Sequence, residues 1–244
     1  MSDELKSKII LVAGGASGIG RATVALCAER GATVIVADVD QQNGNLVAQA
    51  ANARYIPVNL SNEDSVKALY AQIEAEHGRL DVLLHCAGIL LGAFVPLDEF
   101  SGETFRKVWE INTLGSFLSA KYAVPLLRKS AKGVIVLVSS LAATGGSSSF
   151  AYGASKGGVH NLGITLAAAL AADNIRVNIL APGNIDTAMK RSVIEADVAR
   201  KGAPDKLEQA VADAKLGAPP GMARVLAWLA SDDADYVRGV ITTR

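Results

Sequence analysis

Cysteine is scarce in this chain of 244 residues, which carries only Cys27 and Cys86. Two scattered thiols cannot build a disulfide framework, and no C-x-x-C pair is present to hold zinc. The three histidines, His77, His85 and His160, fall on separate stretches without metal-ligand spacing, so no metal is expected. Aromatic residues make up 5% of the chain, and Trp109 and Trp228 lie in helical stretches where they read as packing residues. An excess of either charge is also missing: 24 Lys plus Arg balance 24 Asp plus Glu, and no basic run exceeds two residues. Nucleic-acid binding runs on clustered cations, so it is not expected here. Long hydrophobic runs are absent as well. The first, IILVA before Gly14, has five residues, and the alanine-rich Leu162–Ala172 is about half of the ~20 residues that span a bilayer. These absences predict a soluble, cytoplasmic protein with no nucleic-acid or membrane partner.

What the chain does have is apolar content, 50% of its residues, in runs of strand length. Lys8–Ala13, Thr33–Asp38, Arg54–Val58, Leu80–His85, Gly133–Val138, Ile175–Leu180 and Gly239–Thr243 are apolar on both faces, as buried parallel strands are. Helical spacing occupies the intervals, at Arg21–Arg30, Gln41–Ala51, Asn62–His77, Phe105–Arg128, Tyr152–Ala172 and Gly221–Ser231. Ser61 is the expected N-cap of the third helix, with Glu63 and Asp64 in its first turn. Strict alternation of strand and helix requires right-handed crossovers and a doubly wound α/β sheet. No linker or repeat divides the sequence, so residues 1–244 are expected to form one domain.

The first strand runs straight into Gly14-Gly15-Ala16-Ser17-Gly18-Ile19-Gly20, which opens the first helix. A chain leaving a strand there must turn tightly, let a pyrophosphate approach its backbone and offer it free helical N–H groups. Glycine meets each demand by lacking Cβ. Asp38 ends the second strand, where an acid accepts hydrogen bonds from both adenosine ribose hydroxyls and repels a 2′-phosphate. Nothing beside it supplies a cation for that phosphate, Arg21 being the nearest candidate. NAD is therefore expected in preference to NADP.

Tyr152 and Lys156 are four residues apart at the start of a helical stretch and share one face. Ser139 and Ser140 end the fifth strand, at the carboxyl edge where open parallel sheets bind ligands. A phenol, an ammonium and a hydroxyl thus converge where the glycine loop also points.

With Gly14/Gly18/Gly20, Asp38, Ala87-Gly88, Asn112, Ser140, Tyr152/Lys156 and Pro182-Gly183-Asn184-Ile185-Asp186-Thr187 in this order, the whole chain resembles the short-chain dehydrogenases/reductases. The resemblance implies a Rossmann-like, seven-stranded parallel sheet in the order 3-2-1-4-5-6-7. It implies hydride transfer between NAD(H) and an alcohol or ketone, with Tyr152 as general acid/base. Lys156 would favour the phenolate and hold the nicotinamide ribose, and Ser140 would hydrogen-bond the substrate oxygen. Asn112 would fix a water beside Lys156 through its backbone carbonyl. Gly14, Ser17, Gly18, Ile19, Asp38, Asn59, Leu60, Ala87, Gly88, Pro182, Gly183, Ile185 and Thr187, with Tyr152 and Lys156, would contact the cofactor. Ser139 stands at the family's usual spacing of 13 residues before Tyr152, whereas Ser140 is the second of the pair and is preferred here. The family's four-helix interface, built from Phe105–Arg128 and the helix after Tyr152, implies a homotetramer.

Several positions depart from the family pattern. Ala13 replaces the usual Thr before the glycine motif. Asn59 stands where an Asp commonly meets the adenine amino group. His85-Cys86 replaces an Asn pair, the first of which braces neighbouring strands, and the Asp-Gly-Gly ending is missing. Cys86 reads as a buried small residue. The loops Ile89–Val95 and Leu141–Gly145 carry no charge, so an uncharged secondary alcohol or ketone is the expected substrate, under a mixed-charge lid at 188–204. Two alternatives stand beside this reading. One is a reductase of carrier-linked 3-oxoacyl groups docking on Arg128, Lys129 and Lys132; the other is a nucleotide-binding regulatory protein without turnover.

Overall fold

The structure is a computed structural model that describes residues 4–243. The first three residues and Arg244 lie outside that range. Seven strands, β1 (Ile9–Ala13), β2 (Thr33–Asp38), β3 (Arg54–Pro57), β4 (Val82–His85), β5 (Gly133–Val138), β6 (Ile175–Ala181) and β7 (Gly239–Thr242), form one sheet. Their order is β3-β2-β1-β4-β5-β6-β7 and every pairing is parallel. This is the doubly wound, Rossmann-like α/β architecture expected from the alternation. The order reverses between β1 and β4, which opens a crevice above their carboxyl ends.

Alternation along each strand divides the core in two. Leu11, Ile35, Leu83 and Ile135 point to one face, under α3 (Glu63–His77), α5 (Gly115–Leu127) and α7 (Phe150–Ala169). Ile10, Val12, Val36 and Leu84 point to the other, under α1 (Gly18–Glu29), α2 (Gln41–Ala50) and α10 (Pro219–Ala230). Each fully buried Leu or Ile contributes ~1.5–3 kcal/mol relative to exposure, and both faces are lined with them.

The helix ends show local chemistry that the sequence leaves ambiguous. Asn62, not Ser61, caps α3: its side chain accepts from the Ser65 N–H at 2.9 Å. The Ser61 hydroxyl instead donates to Asn59 Oδ1 at 2.7 Å. The stretch expected as one helix over 105–128 is α4 (Gly102–Trp109), a π-helical turn at Glu110–Leu114, and α5. In that turn the Gly115 N–H reaches back to the Glu110 carbonyl, five residues away. A short helical turn, α6 (Ala142–Gly145), lies between β5 and α7, and the expected lid is itself helical, as α8 (Ala188–Arg200), followed by α9 (Leu207–Asp213). Among the described residues no helix is long and apolar enough to cross a membrane.

Candidate active site

A cleft of about 1250 Å³ opens over the carboxyl ends of the strands. Its floor begins at the turn between β1 and α1. Gly14 adopts φ +79°, and a Cβ there would fall 2.5 Å from the Ala87 nitrogen, so only glycine allows the two loops to touch. Ser17 occupies the N-cap of α1 without bonding its side chain to the helix, so the first-turn N–H groups stay open toward the cleft. The bare backbone and the open donors fit a dinucleotide pyrophosphate. Ser17, Gly18, Ile19, Asn59, Leu60, Ala87, Gly88, Pro182, Gly183, Ile185 and Thr187 all line the same cleft, as do Ser140, Tyr152 and Lys156.

At one end lies Asp38. Its Oδ2 accepts from the Ala16 N–H at 3.0 Å and its Oδ1 from the Asp40 N–H at 3.1 Å, so the carboxylate is held in place at the tip of β2. Arg21 is not among the residues lining the cleft. Asn59 also borders this end, but its Oδ1 already accepts from both the N–H and the hydroxyl of Ser61, at 3.1 and 2.7 Å.

At the other end stand Tyr152 and Lys156 on α7. Ser149 caps this helix, accepting from the Tyr152 N–H at 3.2 Å while its hydroxyl donates to the Leu91 carbonyl at 2.6 Å. The cap ties the start of the helix to the loop after β4. The Lys156 ammonium donates to the Val138 carbonyl at 2.8 Å and lies 5.8 Å from the Tyr152 ring centroid. Burial lowers the Lys156 pKa to about 8. Burial also raises that of Tyr152, against which the hydrogen bond with Ser140 acts. Desolvation therefore outweighs the contact with Ser140 in this chain's own contribution to the phenol.

The two serines behave differently. The Ser139 hydroxyl is buried and donates to the Lys156 backbone carbonyl at 2.9 Å, whereas the Ser140 hydroxyl borders the cleft, accepts from the Ala142 N–H at 3.1 Å and lies close enough to Tyr152 to lower its pKa.

Asn112 does not line the cleft; it is fully buried behind it. Its side chain clamps the Ile89 backbone, accepting from the N–H at 2.8 Å and donating to the carbonyl at 2.9 Å. The same amide donates to Ser155 Oγ at 2.9 Å, and Ser155 donates to the Tyr152 carbonyl. Its own carbonyl accepts from the Ser116 hydroxyl at 2.6 Å. Ser155 and the side-chain role of Asn112 escaped the sequence reading; only the position of Ser155 between Tyr152 and Lys156 hinted at them. His85 is fully buried with neither ring nitrogen hydrogen-bonded, and burial drives its pKa down to about 3. Cys86 borders the cleft, but burial pushes its thiol up to about 12, far from a reactive thiolate. Among the described residues no group of three or more His, Cys, Asp or Glu could hold a metal ion.

A family model described as enoyl-(acyl carrier protein) reductase matches residues 14–243. The chain belongs to the short-chain dehydrogenase/reductase family. As such it is an NAD(P)-dependent oxidoreductase acting on CH–OH groups. It is 39% identical to cis-4-hydroxycyclohexanecarboxylate dehydrogenase of Sinomonas cyclohexanicum, over 99% of this chain and 96% of that one. It is 36% identical to 3-oxoacyl-[acyl-carrier-protein] reductase FabG of Thermotoga maritima, over 97% and 96% respectively. Among solved structures it is similar to levodione reductase, with a TM-score of 0.89, 29% identity, and coverage of 98% of this chain and 96% of that chain.

Proposed function

We propose that this short-chain dehydrogenase uses NAD to oxidise a secondary alcohol, or NADH to reduce the matching ketone, with the reacting carbon on a compact, uncharged frame. The observation that carries the reading is the convergence of Tyr152, Ser140 and Lys156 on one end of the cleft, with Asp38 at the other. Bound nicotinamide supplies the hydride acceptor. Tyr152 takes the hydroxyl proton as the carbinol C–H leaves, and Ser140 holds the substrate oxygen. Lys156 favours the phenolate and orients the cofactor ribose. Asn112 acts as a positioning residue behind both. Gly14, Ser17, Gly18 and Ile19 border the pyrophosphate; Asn59 and Leu60 the adenine; Ala87, Gly88, Pro182, Gly183, Ile185 and Thr187 the nicotinamide half. Asp38 disfavours a 2′-phosphate by charge.

The wall on the substrate side is apolar, with Leu90, Phe94, Leu141, Met189 and Val193. The Sinomonas relative is named for a hydroxylated cyclohexane that also carries a carboxylate, which supports a ring alcohol as the substrate class. A carrier-linked 3-oxoacyl substrate is less well supported. Its expected docking cations are each ion-paired, Arg128 to Asp173, Lys129 to Glu74 and Lys132 to Asp235. A purely regulatory role would leave the Tyr152–Ser140–Lys156 arrangement without a purpose. Exposed apolar side chains on α4, α5 and α7, among them Phe105, Trp109, Phe117 and Ile164, support burial in a homotetramer. One cytoplasmic catalytic unit spanning the chain completes the proposal.

The test is steady-state turnover of a panel of cyclic secondary alcohols with NAD and NADP, followed by nicotinamide absorbance. NAD-dependent oxidation that falls about 10²-fold or more in Tyr152→Phe is expected. A preference for NADP, or a fully active Tyr152→Phe, would overturn it.

A further inference from the structure

Among the described residues, four charged side chains border the cleft: Asp38, Lys156, Lys190 and Lys215. Asp38 belongs to the adenosine end and Lys156 is held on the Val138 carbonyl. Lys190 and Lys215 remain, and no acid faces the cleft on their side. Neither makes an ion pair or a side-chain hydrogen bond among the described residues. Other cations of the lid do: Arg191 pairs with Asp186, and Arg200 and Lys201 with Asp197.

Lys215 also sits in an unusual backbone conformation. Its φ of +45° lies in the left-handed region that favours glycine, and it is one of two non-glycine residues of the cleft wall to do so, with Phe94 at +62°. The turn is pinned to the loop after β6, because the Gly217 N–H donates to the Asn184 carbonyl and the Asp186 N–H to the Gly217 carbonyl, each at 2.8 Å. A glycine would take this turn without strain, yet a long cation occupies it at the edge of the chamber. Strain kept at a cleft wall points to use of the side chain.

We propose that Lys190 and Lys215 form an anion-recognition pair that selects hydroxy acids: secondary alcohols carrying a carboxylate remote from the reacting carbon. The proposal rests on the alcohol-oxidation reading above and replaces its wholly uncharged substrate with an amphiphilic one. The apolar frame packs against Phe94 and Val193, the hydroxyl meets Tyr152, and the carboxylate faces the two ammonium groups. The carboxylate is a spectator. The carbinol C–H breaks with hydride passing to NAD, the O–H proton passes to Tyr152, and a keto acid and NADH result. A charge-assisted contact of this kind is worth about tenfold or more in discrimination.

The test compares a hydroxycycloalkane carboxylate with its methyl ester, in wild type and in the double variants K190M/K215M and K190R/K215R. Wild type is expected to prefer the acid by about tenfold or more in kcat/KM. K190M/K215M should lose that preference through a raised KM for the acid, and K190R/K215R should keep it. Ester turnover by wild type with no preference for the acid overturns this proposal alone. So does a raised KM for NAD in K190M/K215M at an unchanged acid-to-ester ratio, which would assign the lysines to the cofactor phosphates. Failure of wild type to oxidise either compound while it turns over the panel of cyclic alcohols also overturns this proposal alone, and failure on the panel as well overturns the alcohol reading with it.

Discussion

The Asn112 side-chain amide donates to Ser155 Oγ at 2.9 Å, one residue before Lys156 in the chain. Through this bond the loop after β4, the π-helical turn and α7 form one unit. Asn112 grips the loop by the Ile89 backbone, and Ser155 passes the contact to the Tyr152 carbonyl. Thr113 adds a bond from its hydroxyl to the Ser155 carbonyl at 3.0 Å. The reactive helix and the glycine-bearing loop therefore cannot move independently.

Asn112→Ala should break that unit. It leaves the N–H and carbonyl of half-buried Ile89 without their side-chain partner, at up to about 1–3 kcal/mol for each group. Lower stability in urea together with a fall in kcat larger than that of Ser155→Ala is expected, because Ser155 makes only part of the contact. Equal effects of the two substitutions would contradict the clamp.

Lys156→Met should abolish turnover and yet stabilise the free protein near neutral pH. The buried ammonium has its pKa lowered from 10.5 to about 8, so the unfolded chain holds a proton that the folded one releases between those values. The burial penalty is thus full below about pH 8 and is relieved as pH rises toward 10.5. The shift corresponds to about 3 kcal/mol, offset by about 1 kcal/mol for the lost bond to Val138. Urea denaturation across this range should show the variant's advantage shrinking above pH 8. An advantage that grows with pH would refute the assignment.

His85 should make the protein sensitive to acid. Burial, and then the charge of Lys156, lowers its pKa from 6.5 to about 3. The unfolded chain takes up a proton that the folded imidazole refuses, so stability falls as pH drops through that window. His85→Asn should flatten this dependence, leaving the slope set by carboxylates such as Asp81, where burial pushes the pKa up but bonds from Ser130, Ile9 and Arg79 together hold it low. Equal slopes for variant and wild type would show that His85 does not titrate as described.

The serine pair should separate cleanly. Ser140→Ala removes the hydroxyl beside Tyr152 and is expected to lower kcat by about 10²-fold. Ser139→Ala removes the buried bond to the Lys156 carbonyl and should act chiefly on stability, by about 1 kcal/mol. Kinetics and thermal melts on the two variants decide between them, and a reversal would reassign the substrate contact to Ser139.

Much of this molecule is legible in order along the chain. The runs Thr33–Asp38 and Gly133–Val138 read directly as β2 and β5, because burial on both faces leaves an uninterrupted apolar signature. Spacing by four places Tyr152 and Lys156 on one helical face, and the turn after β1 demands glycine wherever a backbone must be approached. Helical periodicity cannot reveal the π-turn at 110–114, which differs from its flanks by one shifted hydrogen bond. It also passes over α8, whose mixed charges leave no clear apolar stripe. The Asn112–Ser155 contact, the ion pairs that neutralise Arg128, Lys129 and Lys132, and the isolation of Lys190 and Lys215 are all relations between distant segments. Periodicity and turn chemistry act over a few residues, so the sequence alone determined the strands, their alternation with helices and the reactive pair. Hydrogen bonds and charge pairing act through space, so only the tertiary structure decided which polar groups brace the site and which are left to meet a ligand.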